Sequence, residues 1–223
     1  VRTYASPCHP VAPRRILTPT FADCKTLAPI WEELAHTFAQ EDGVLIAKVD
    51  AEADNSKATA KDQGVTSYPT IKYFPAGSKE PQEYSGGRSE QAFIDFINEK
   101  AGTHRTPGGG LNIYAGTVAA LDAIVTKFTG GVTVAEALAE AQKEAAAVTE
   151  QAQLKYAEYY VRVFNKLNDN SDWASKELAR LDGILTKGGL APAKRDEITS
   201  KTNILRKFVA KVAETVESVK DEL

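Results

Sequence analysis

Residues 25–50, KTLAPIWEELAHTFAQEDGVLIAKVD, decide the class of fold. Leu27, Ile30, Trp31, Leu34 and Phe38 recur at steps that keep them on one stripe, so Lys25 to Gln40 is predicted to be an amphipathic helix. Val44-Leu45-Ile46-Ala47-Lys48-Val49-Asp50 then reads as a short apolar strand. Working outward, Ser56 to Gln63 is a short helix, and Thr70-Ile71-Lys72-Tyr73-Phe74 is a strand stopped by Pro75-Ala76-Gly77. A weaker strand lies around Gln82-Glu83-Tyr84. Ser89 is placed to cap a last helix through Glu99, with Phe93, Phe96 and Ile97 inward. Alternating helices and strands of this kind build an α/β layer structure.

The composition changes near residue 101. Residues 101–116 are rich in Gly and Pro and read as a linker, because Gly loosens the backbone and Pro stops regular structure. Beyond it the signal is helical throughout. One long helix is expected from Ala135 to Lys166, with Leu154, Ala157, Val161 and Phe164 on one face. A second covers Trp173 to Leu185 and ends at Gly188-Gly189. A third starts after Pro192 and carries Ile198, Leu205, Val209, Val212 and Val216. These make an all-α helical bundle over residues 117–219.

The bulk numbers set limits. A chain of 223 residues that is 43% hydrophobic can hold one large or two small folded domains. A net charge of -3 argues against a nucleic-acid surface, which needs a basic field. The three His are scattered and Cys8 and Cys24 stand apart, so no metal-ligand spacing is present, and no cofactor is indicated. No stretch approaches the roughly 18 apolar residues of a membrane-spanning helix. The chain ends Lys220-Asp221-Glu222-Leu223, the address by which luminal proteins of the endoplasmic reticulum are retrieved. That compartment is oxidising, so cysteine chemistry is in place there.

Four segments, in order, carry a family resemblance. They are Cys24 to Ala35, Ile46-Ala47-Lys48-Val49-Asp50-Ala51, Gly64 to Phe74, and Tyr84-Ser85-Gly86-Gly87-Arg88-Ser89. Together they resemble the thioredoxin-like domain of the protein disulfide isomerases over residues 24–100. The helical part is similar to the C-terminal domain of the ERp29 type, on Tyr156-Ala157-Glu158-Tyr159-Tyr160, Lys176 to Leu181, Lys194 to Glu197 and Asn203 to Phe208. The resemblance implies a thiol-disulfide oxidoreductase or isomerase acting on nascent, unfolded secretory proteins in the lumen of the endoplasmic reticulum, with the KDEL receptor as a second partner. It also implies a cis bond at Tyr68–Pro69 beside the peptide site. Arg88 is either the family's helper for deprotonating the second thiol or a solvated turn residue. Tyr156, Tyr159 and Tyr160 are either peptide contacts or bundle core.

The match breaks at the active site. The family motif is Cys-Gly-His-Cys at the start of a helix, whose N-terminus favours a thiolate. Cys24 matches the second Cys; Phe21, Ala22 and Asp23 stand where the first Cys, Gly and His belong. The first, attacking thiol is therefore missing, and weak or absent catalysis is expected. The alternative function is a redox-inactive chaperone or escort that binds unfolded clients through its helical domain. Cys8, between Pro7 and His9-Pro10, reads as a bystander. Nothing ahead of Cys24 reads as the apolar strand that should occupy the centre of the family's sheet. Ile16-Leu17 is too short and Pro-bounded. The first domain is thus expected to be incomplete at its N-terminal side. Residues 1–23 read as an atypical segment, as translated intron, at the front of a fragment of a longer protein.

Overall fold

The computed structural model describes the backbone of residues 2–5 and 20–220 and the side chains of residues 23–209. The chain divides into two compact units, Val1–Asn112 and Ile113–Leu223.

In the first unit, β1 (Arg2–Ala5) precedes α1 (Thr20–Thr37), β2 (Leu45–Lys48), α2 (Lys57–Asp62), β3 (Ile71–Phe74), β4 (Gln82–Glu83) and α3 (Glu90–Ala101). The sheet order is β2-β1-β3-β4. β1 runs parallel to β2, with Arg2 opposite Leu45, and antiparallel to β3, with Arg2 opposite Phe74. This corrects the expectation of an empty central position: Arg2–Ala5 fills it. Arg-Thr-Tyr-Ala has no continuous apolar run, so its strand character comes from pairing on both sides rather than from its own hydrophobicity. Ile16-Leu17 and Cys8 lie outside the described residues.

α1 also begins earlier than expected, at Thr20, and takes in Phe21, Ala22 and Asp23. Its buried Leu27, Trp31 and Leu34, with Phe38 just past its end, meet Ile71 and Tyr73 of β3 and Phe93, Ile94 and Ile97 of α3. Fully burying a side chain such as Leu34 contributes about 1.5–3 kcal/mol. The Trp31 indole stands edge-on to Phe93, centroids 5.5 Å apart, and its Nε1 donates to the Ala47 carbonyl at 3.2 Å, tying α1 to β2. Ser89 caps α3 as its position predicts: its hydroxyl accepts from the Ala92 amide.

The Gly/Pro stretch is not a loose linker over its first part. Residues 101–112 are bonded to the first unit. Asn98 donates to the Arg105 carbonyl at 2.8 Å and accepts from the Arg105 amide at 2.9 Å. Arg105 is 4% exposed, and its Nε donates to Glu41 at 2.6 Å while Nη1 donates to the Gly109 carbonyl at 2.9 Å. Gly109 has φ 78° and lies against the Thr37 backbone, where a left-handed residue without a side chain is favoured.

The second unit is built from α4 (Ala119–Thr129), α5 (Val134–Ala147), α6 (Gln151–Asp169), α7 (Trp173–Lys187) and α8 (Pro192–Lys220). The single long helix expected from Ala135 to Lys166 is two. Val148 turns extended after α5, and no Gly or Pro marks that break in the sequence. α4 was not anticipated. Thr133 and Glu136 form a reciprocal cap on α5, and the bond from the Thr133 hydroxyl holds the Glu136 carboxyl below its ordinary value. The core gathers Leu121 and Ile124, the small Ala137 and Ala141, Tyr160, Val163 and Phe164, and Ile204 and Leu205. Val212, Val216 and Lys220 belong to the backbone of α8, whose side chains from 210 onward lie outside the described residues, as do Asp221, Glu222 and Leu223. No described helix is long and apolar enough to cross a membrane.

Candidate active site and comparison with known proteins

Cys24 sits one turn into α1 and is 6% exposed. It is disulfide-bonded, which corrects the expectation of a lone thiol. The only other cysteine in the sequence is Cys8. Asp23, in the first turn of α1, has the charge sign that a helix N-terminus favours. Its carboxylate meets Arg88 Nη1 at 3.6 Å, with both side chains more than half exposed. Arg88 therefore reaches the start of α1 by pairing with the residue next to Cys24. A carboxylate beside a sulfur opposes a thiolate there, and it engages the cation that would favour one.

The turn that delivers Arg88 is held from inside. The Tyr84 hydroxyl donates to the Gly87 carbonyl at 2.7 Å, and the Tyr84 ring packs on Phe93 and Phe96. A Cβ at Gly86 would come within 2.5 Å of the Tyr84 hydroxyl, so a side chain at that position displaces the clamp.

On the segment before β3, the Tyr68–Pro69 bond is cis, as the family resemblance implies. Pro69 is buried. The Tyr68 hydroxyl donates to Glu52 at 2.7 Å, and that carboxylate pushes the phenol above its ordinary value. The Thr70 hydroxyl donates to the Ser67 carbonyl at 2.6 Å and secures the far side of the turn. The structure thus joins Arg88 to Asp23 and gives Tyr68 a partner, Glu52, that the sequence did not point to.

In the helical unit, core packing prevails for the tyrosines. Tyr160 is fully buried and donates to Asp122, whose other oxygen meets Lys207 Nζ at 3.1 Å. Tyr159 is 7% exposed, and burial pushes its phenol up to about 12. Tyr156 is partly buried and donates to Ser200 at 3.1 Å.

With this geometry set out, comparison with known proteins assigns both units. The thioredoxin family pattern matches residues 17–99, and "Endoplasmic reticulum protein ERp29, C-terminal domain" matches residues 116–208. The chain is 56% identical over 205 residues to protein disulfide-isomerase erp38 of Neurospora crassa, covering 92% of this chain and 55% of that protein. The chain belongs to the protein disulfide isomerase family. Protein disulfide-isomerase tigA of Aspergillus niger is also 56% identical, with 92% of this chain and 54% of that protein covered. Protein disulfide isomerase-like 2-2 of Oryza sativa is 39% identical over 85% of this chain and 51% of its own length. This member of the family therefore spans about half the length of the curated relatives it matches.

Proposed function

We propose that this chain belongs to a thiol-disulfide oxidoreductase or isomerase of the endoplasmic reticulum lumen that assists disulfide formation in secretory proteins. The observation that carries the reading is Cys24, disulfide-bonded one turn into α1 of a thioredoxin domain. A helix N-terminus is where such domains stabilise a leaving or attacking thiolate. In this reading Cys24 is the resolving thiol, Tyr68 and Pro69 support the client peptide, and Arg88 assists proton transfer. Phe21 at the attacking position lowers the rate. Lys220-Asp221-Glu222-Leu223 supports retention through the KDEL receptor.

A second reading is a luminal chaperone that binds unfolded clients through the helical unit. It is favoured by Phe21, which has no nucleophile. Insulin reduction by the full chain and by Cys24→Ser separates the two. A measurable rate that falls with Cys24→Ser supports the oxidoreductase. Equal rates at background exclude catalysis by this chain and leave the chaperone.

A further inference from the structure

The Gly87 carbonyl and the Arg88 amide belong to one planar peptide unit, so a bond that holds the first also orients the second. The Tyr84 hydroxyl makes that bond, donating to the carbonyl at 2.7 Å. Tyr84 is itself fastened at both ends. Its amide donates to the Ile71 carbonyl of β3 at 3.1 Å, and its ring centroid lies 5.0 Å from that of Phe93 and 4.9 Å from that of Phe96. Burial, with Asp95 adding to it, pushes the phenol above its ordinary value, so the hydroxyl stays a donor. On the other side of Arg88, the Ser89 hydroxyl accepts from the Ala92 amide at 3.2 Å and caps α3. Arg88 therefore leaves the backbone between two fixed points.

The sequence of the turn makes that hold necessary. Gly86 and Gly87 are adjacent, and glycine has the widest backbone freedom. A Cβ at Gly87 would stand 3.3 Å from that of Ala92, so the turn rests closely on α3. What the arrangement delivers is one reach: Arg88 Nη1 lies 3.6 Å from the carboxylate of Asp23, the residue before Cys24. Both side chains are more than half exposed. An exposed pair of this kind holds its geometry only weakly, so the point from which the long Arg side chain starts decides how often it arrives. Asp23 and Arg88, with Lys25 following Cys24 in α1, are the charged groups that chain and pairing bring to this sulfur.

We propose that Tyr84 is a positioning residue for the thiol chemistry of Cys24. Its hydroxyl sets the Gly87–Arg88 peptide, and through it the place from which the guanidinium offsets Asp23 and favours the Cys24 thiolate. Tyr84 acts only through Arg88. This rests on the role in proton transfer proposed for Arg88 above.

The test is the pH profile of Cys24 alkylation by iodoacetamide, a neutral reagent, in the reduced full chain, with the adduct mapped to Cys24 by mass spectrometry. Tyr84→Phe removes the hydroxyl and keeps the ring on Phe93 and Phe96. Gly86→Ala drives a Cβ into the hydroxyl. Thermal melts check that both variants fold. Near neutrality each lowers the rate about threefold, as Arg88→Ala does, because the loss of a screened cation leaves less thiolate. At about pH 10, above the ordinary thiol value of about 8.5, the rates converge on that of the unmodified chain. Tyr84→Phe added to Arg88→Ala changes nothing further, since the two act in one line. A Tyr84→Phe profile that matches the unmodified chain while Arg88→Ala shifts its own overturns the inference and leaves the role of Arg88 standing. A change of equal size at every pH assigns Tyr84 to packing and overturns it too. No shift with Arg88→Ala overturns both.

Discussion

Tyr159 and Tyr160 are neighbours in α6 whose hydroxyls have opposite fates. Tyr160 donates to Asp122, while the Tyr159 hydroxyl is buried with no hydrogen-bond partner among the described residues. A buried polar group without a partner costs about 1–3 kcal/mol, and removing it relieves that cost. Tyr159→Phe is therefore expected to be neutral or stabilising. Tyr160→Phe is expected to lose about 1 kcal/mol or more, because Asp122 then loses a donor in the interior. Urea denaturation of both variants checks the contrast, and equal losses would contradict it. Glu197 makes a third case. Hydrogen bonds from Lys194, at 2.8 Å, and from Lys201 pull its carboxyl from 4.5 down to about 2. A folded-state value below the unfolded one gives stability that is present above about pH 4.5 and lost as the pH falls toward about 2. A third of the side chain is exposed, so solvent screens the pair and the effect is modest, about 1 kcal/mol at most. Glu197→Gln should flatten the stability profile across that window, losing up to about 1 kcal/mol near neutrality and changing little at about pH 2, as read by denaturation at several pH values.

At the scale of elements, residues 101–112 behave as a strap on the first unit. Its anchor is the Arg105–Glu41 pair, 64 positions apart in sequence, with the guanidinium nearly fully buried. Glu41→Gln removes the carboxylate that this cation contacts and should cost about 3 kcal/mol. Combining Glu41→Leu with Arg105→Met should recover part of the loss, since apolar pairs of similar size often replace buried ion pairs without penalty. Hydrogen exchange of the amides of Arg105, Thr106 and Asn112 reads the strap directly. Protection that survives Glu41→Gln would show that the pair does not hold it. The strap also marks the limit of what the chain declares about itself. Local signals sufficed for α3, capped by Ser89, for the α1 stripe and for β3, whereas the cis Tyr68–Pro69 entry was implied by the family resemblance. Features made by distant partners did not show. β1 is specified by β2 and β3 on its two sides, Arg105 by Glu41, and Tyr68 by Glu52. The division between α5 and α6 was hidden for another reason: Val148-Thr149-Glu150 contains neither Gly nor Pro.

On the scale of the whole molecule, the thioredoxin domain carries Phe21 where the family resemblance places the attacking Cys. β1 occupies the centre of the sheet, α1 starts at Thr20, and Asp23 pairs with Arg88 beside Cys24. The backbone is described on both sides of residues 6–19, and on the proposed reading the change in chemistry lies at Phe21, Ala22 and Asp23. Phe21→Cys with Ala22→Gly and Asp23→His restores a thiol in the first turn of α1, where the helix dipole favours its anion. It also removes the carboxylate that opposes that anion and occupies Arg88. A second thiol three positions before Cys24 then allows the mixed disulfide with a client to be resolved within the chain. Made in a Cys8→Ser background, so that Cys24 has a single partner, this variant should reduce insulin well above the unmodified chain. Cys24→Ser on top of it should abolish turnover and trap the mixed disulfide, visible as a reducible adduct of higher mass. If the rebuilt motif stays at background while circular dichroism shows an intact fold, then the segment between β1 and α1, rather than the lost nucleophile, is what prevents catalysis.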